Sequence, residues 1–163
     1  MNDLNKWETL TEDQRVWACF SQKLTQAFIS KHWKNLTEVQ RDNVCCHQKL
    51  TQAFVSKYWK ELTEDQRTFV YTYQELTQAF TSKNWKDLTE VQCNRVCQCQ
   101  KLTKTFITQH WESLTETQQN ELCYYQKLTP SFKEQLLSGN IPQVQEFIPT
   151  KTMRYIDMNF EDF

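Results

Sequence analysis

Apolar residues recur along this chain in a fixed order. A Trp is followed three residues on by a Leu, then by a pair of buried-type positions, a second Leu and a Phe. The order restarts every 26 residues, at Trp7, Trp33, Trp59, Trp85 and Trp111. The copies span 7–32, 33–58, 59–84, 85–110 and 111–136, and share the frame W-[KE]-x-L-T-E-x-Q-[RCQ]-x-x-[AVL]-[CY]-x-x-Q-[KE]-L-T-x-x-F. A self-similar period of this length is the signature of a solenoid, in which each unit buries its apolar face against its neighbours.

Each copy holds Leu-Thr twice, and Thr is a favoured N-cap because its hydroxyl accepts from an orphan amide of the first helical turn. The first caps, Thr11, Thr37, Thr63, Thr89 and Thr115, each have a Gln three residues later, the capping-box pattern. Glu12 and its equivalents add a favourable negative charge in the first turn. The pattern predicts a first helix from Thr11 to about Ser21 or Gln22 and a second from about Thr25 to Trp33, with the same pair in every copy. Helices this short are marginal alone, so stacking must hold them.

The predicted fold is therefore all-α: an α-solenoid of five 26-residue helix-hairpin repeats with a non-repeat C-terminal tail. A lead of residues 1–6 precedes the array at 7–140, and 141–163 forms the tail. The last copy departs from the others at Pro130, an N1 proline, and closes at Ser138-Gly139-Asn140, which contains the chain's one glycine.

Comparison among the copies separates scaffold from display. Constant are the Trp, both Leu-Thr pairs, the capping Gln, a second Gln (Gln22, Gln48, Gln74, Gln100, Gln126) and the Phe. The second Gln is expected to hydrogen-bond loop backbone. The variable positions lie three or four apart on the first helix and so share a face. Trp17, Phe20, Asn43, His47, Phe69, Tyr73, Arg95, Gln98, Tyr124 and Tyr125 are the candidate partner-binding residues. Aromatics at this density suggest contact with a protein or peptide rather than a wet, drifting surface. Lateral packing between helices is the other role open to part of the set.

The opening W-x-x-L of each copy, as in Trp7–Leu10, resembles the first helix of a tetratricopeptide repeat, which implies a helix-hairpin scaffold for proteins or peptides. The stretch Trp33-Lys34-Asn35-Leu36-Thr37, on to Arg41, is similar to the join between two helices of a high-mobility-group box. That second likeness concerns the helix junction and not DNA binding.

The chain has 163 residues, a formal charge of −1 and interspersed signs, which argues against attachment to nucleic acid or anionic lipid by long-range attraction. A single-stranded RNA reader, with one base per repeat, is the alternative class, and a ligand-free, self-associating array is a third. No apolar run approaches a membrane span and no leader pattern opens the chain, so a cytoplasmic, reducing location is expected. Seven cysteines fit that location better than a disulfide framework does.

Cys19, Cys45, Cys97 and Cys123 share one slot with Tyr71, which reads as core packing rather than a ligand ladder. His32, His47 and His110 are not spaced with a nucleophile and carboxylate, and one glycine cannot build a phosphate-cradling loop. No enzyme activity, metal or cofactor is expected. The tail's alternating aromatic and acidic residues make Tyr155, Met158, Phe160 and Phe163 candidate contacts, either as a recognition peptide or as a cap on the last copy.

Overall fold

The computed structural model describes residues 4–140, and within them every element is helical. Ten α-helices follow in pairs: α1 (Glu12–Ser21) with α2 (Gln26–His32), α3 (Glu38–His47) with α4 (Gln52–Tyr58), α5 (Glu64–Tyr73) with α6 (Gln78–Asn84), α7 (Glu90–Cys99) with α8 (Lys104–His110), and α9 (Glu116–Tyr125) with α10 (Pro130–Leu137). Each repeat Trp opens a short 3-10 turn, such as Trp33–Asn35, so the second helix stops one residue before the Trp instead of including it. A 3-10 segment, Leu4–Thr9, also carries Trp7.

The helix starts follow from the caps. Thr11, Thr37, Thr63, Thr89 and Thr115 each form the full reciprocal box with the Gln three residues on. The second Thr of each copy accepts from the amide of the repeat Phe. First helices end at a Gln in extended conformation without any glycine. Gly139, at φ 73°, lies two residues beyond the end of α10, where a left-handed residue is needed.

The odd-numbered helices pack in series, α1 on α3, α3 on α5, α5 on α7 and α7 on α9, and form the continuous layer of the solenoid. Between the layers lies a core running from Trp7 to Val96, continued by a second cluster from Cys97 to Leu136, with Trp85 and Leu102 touching both. Trp33 sits edge-on to Phe54 at 5.0 Å and tilted against Tyr58 at 5.5 Å, and Trp7 and Trp85 meet Phe28 and Phe106 in the same way. His32 and His110 fill the slot of Tyr58, against Phe28 at 4.5 Å and Phe106 at 4.4 Å. They are packing residues, and burial lowers the pKa of both.

The frame's arginines lock the Trp turns. Arg15, Arg41 and Arg67 each donate from Nε to the carbonyl of the repeat Trp at 3.2 Å, and their guanidinium groups lie 5.6, 5.2 and 5.3 Å from its ring. Gln119 donates to the Trp111 carbonyl at 2.9 Å in the same position. Repeat four has Cys93 there, which cannot reach, so Trp85 lacks the clasp; it is half-buried, as is the clasped Trp59.

Consecutive repeats are joined by the second glutamine. Gln48 donates from Nε2 to the carbonyls of Cys19 and Gln22, at 2.8 and 2.7 Å, and accepts from the Leu24 amide at 2.9 Å. Gln74, Gln100 and Gln126 repeat this on the loop of the preceding copy. The loop between helices leaves carbonyls and an amide without helical partners, and a primary amide offers both donor and acceptor in the right fork. The expectation of loop backbone as partner holds, but the loop belongs to the preceding repeat, 24 to 29 residues back. Among the described residues no further glutamine reaches the loop of the last repeat, and Lys133 donates its ammonium to the Cys123 carbonyl there.

Candidate functional site

The first-helix face divides into two strips. The strip at Asp42, Thr68, Asn94, Cys46, Thr72 and Gln98 is half-buried against the next repeat. The Asp42 carboxylate accepts from Gln66 Nε2 at 2.9 Å, which fixes the direction it faces. Where no repeat follows, the equivalent Asn120 is exposed and Tyr124 is 81% exposed. This strip is lateral packing in the interior and free surface at the two ends of the stack, at Phe20 and at Tyr124.

The second strip stays open along the stack. Trp17 is 59% exposed, and its ring lies 5.6 Å from that of Phe20. Phe20 in turn meets His47 of the next repeat edge-to-face at 4.5 Å. His47 and Tyr73 line one groove of about 480 Å³ between repeats two and three. Trp17, Phe20, His47 and Tyr73 thus form an aromatic ribbon crossing three repeats. Farther on, Arg95 donates to Gln98 at 2.8 Å, and Tyr124 and Tyr125 stack edge-to-face at 4.8 Å.

Two candidates are placed differently from these. Asn43 spends an amide proton on the Val39 carbonyl of its own helix, at 2.9 Å. Phe69 is half-buried and packs on the core cluster. Tyr155, Met158, Phe160 and Phe163 lie outside the described residues.

The thiols are chemically quiet. All seven are free, and burial pushes Cys19 up to about 11 and Cys45 and Cys97 up to about 12. Such thiols keep their protons, and the thiolate is the reactive form. Among the described residues no three His, Cys, Asp or Glu side chains group as a metal site would need, and no helix is long and apolar enough to cross a membrane.

Tyr71, in the slot where other repeats have Cys, is fully buried and leans edge-on against Trp59 at 5.5 Å. Among the described residues its hydroxyl has no hydrogen-bond partner, and its pKa is raised first by burial and then by Cys93. Tyr71 thus lies within electrostatic range of Cys93, which holds the slot of Arg15, Arg41 and Arg67 in the following repeat.

The class that these features define is an all-α repeat solenoid whose first helices present one open, non-identical flank. Compared with protein families, curated proteins and solved structures, the chain finds no match.

Proposed function

We propose that the chain is a non-enzymatic scaffold that binds a protein or peptide along the open strip of its first helices. The observation that carries this reading is the ribbon Trp17, Phe20, His47 and Tyr73, exposed aromatics held side by side by three successive repeats. Aromatic rings on rigid helices supply large contact area with little entropy left to lose, and such residues dominate binding energy at interfaces. The packing needs of the solenoid do not call for them, because the Leu, Val and Cys positions already fill the core. The grooves between helix ends, such as that at His47 and Tyr73, suit side chains of an extended segment.

The test is Trp17→Ala, Phe20→Ala and Tyr73→Ala combined in the full chain, with partner recovery and helicity measured on the same preparation. Loss of each anchor costs about 1–4 kcal/mol of binding, so recovery falls by at least tenfold while the circular dichroism spectrum is kept. Unchanged recovery overturns the reading. Binding that instead requires nucleic acid and collapses with added salt would assign the flank to RNA.

A further inference from the structure

We infer that the groove between repeats four and five is a binding site for an acidic, aromatic peptide, and that its occupant is this chain's own segment 155–163. The site lies at the far end of the open strip, two repeats beyond the His47 and Tyr73 groove, and stands on charge. It is a groove of about 380 Å³ whose lining includes Lys101, Lys104, Lys127 and Tyr125, with no carboxylate among the lining residues. The corresponding groove between repeats two and three has Lys49 opposed by Glu75. Three lysines converge in the later groove because repeat four opens its second helix with Lys104, where the three before it have Gln26, Gln52 and Gln78.

Each lysine is exposed and only lightly engaged. Lys101 reaches Glu75 at 3.4 Å, with both side chains 90% exposed, and Lys104 lies over the Phe132 ring at 5.2 Å. Surface pairs of this kind are weak and easily exchanged. Like charges held together by a helix start and two loops repel until an anion joins them.

Segment 155–163 reads Tyr-Ile-Asp-Met-Asn-Phe-Glu-Asp-Phe: three carboxylates, three aromatic rings and no cation. Its charge is the complement of the groove, and Tyr125 gives the rings a partner. Fourteen residues, 141–154, connect it to Asn140. Fully extended, they span about 50 Å, whereas the return along α10 is about 12 Å and one repeat step about 10 Å. The reach is ample. Anchoring of the segment there leaves the ribbon at Trp17, Phe20 and Tyr73 open, so the chain holds two separate recognition surfaces.

The test joins lysines to carboxylates with a zero-length carbodiimide in the full chain, followed by peptide mapping of the monomer band. Amide links between Lys101, Lys104 or Lys127 and Asp157, Glu161 or Asp162 are expected, and at 1 M salt their yield should fall at least fivefold as the screening length shortens to about 3 Å. Links to other lysines, no links, or links found only in a cross-linked dimer would overturn the assignment. A second readout needs no cross-linking. The full-length variant Asp157→Asn, Glu161→Gln, Asp162→Asn should shift backbone amide resonances of Cys99, Leu102 and Lys127 and leave repeats one to three in place. Unmoved resonances in that groove would overturn it as well.

Discussion

Replacing Gln74 by Ala isolates what couples one repeat to the next. The side chain is 6% exposed and makes three bonds to the preceding repeat: to the carbonyls of Cys45 and Gln48, both at 2.8 Å, and from the Leu50 amide at 2.9 Å. Truncation leaves two carbonyls and one amide without partners in a site largely closed to water. At about 1–3 kcal/mol for each buried group left unsatisfied, and with some relief from water entering the gap, the loss comes to about 3–5 kcal/mol. Gln22 is the matched control. It holds the same slot in repeat one, and among the described residues its side chain makes no bond of this kind, so Gln22→Ala should cost under about 0.5 kcal/mol. The assay is urea unfolding followed by far-ultraviolet circular dichroism on both variants. Gln74→Ala should also lower the slope of the transition, because repeats one and two then unfold separately from three to five. Equal midpoints and equal slopes for the two variants would refute the ladder as the coupling device.

Tyr71→Phe removes a buried hydroxyl that has no partner, and should raise stability by up to about 1 kcal/mol in thermal melts. Cys93→Arg should supply Trp85 with the clasp that Arg67 gives Trp59 and raise stability by about 1 kcal/mol in a thermal melt; an unchanged or lower midpoint would count against the clasp. His32 is buried against Trp7 and Phe28, and its pKa is lowered below the ordinary 6.5. The unfolded chain therefore binds its proton first on acidification, so stability is full above about pH 7 and falls as pH drops below 6.5; His32→Tyr, as in repeat two, should reduce that slope in pH-dependent melts and leave the share of His110. With iodoacetamide under native conditions, exposed Cys99 should be alkylated well before Cys19, Cys45 and Cys97, which should react at the rate of unfolding.

The helix boundaries were legible because Thr-x-x-Gln states its own chemistry locally: donor and acceptor lie within one turn. The layer order followed from the period, since neither hairpin could bury its Trp and Phe alone. Less legible were contacts that cross the period. Gln48 and its equivalents stood out as constant, but nothing near them in sequence says that their partners lie one repeat back. The arginine clasp on the Trp turn was hidden for the same reason, with the recurrence of Arg15, Arg41 and Arg67 eight residues after each Trp as the available signal. The variable face was drawn too wide. Periodicity places Cys46 and His47 on one side of α3 alike, and only the neighbouring helix decides that the first is half-covered and the second is open.

The proposed function requires that one flank of the stack, and not its opposite face, meet a partner. The direct measurement is photo-cross-linking with benzoylphenylalanine placed singly at Phe20, His47 and Tyr73 on the flank, and at exposed Ser56 on α4, in the full chain inside cells. One and the same adduct is expected from the flank positions, and none of it from Ser56. Adducts of equal yield from both faces, or unrelated adducts at each flank position, would contradict it.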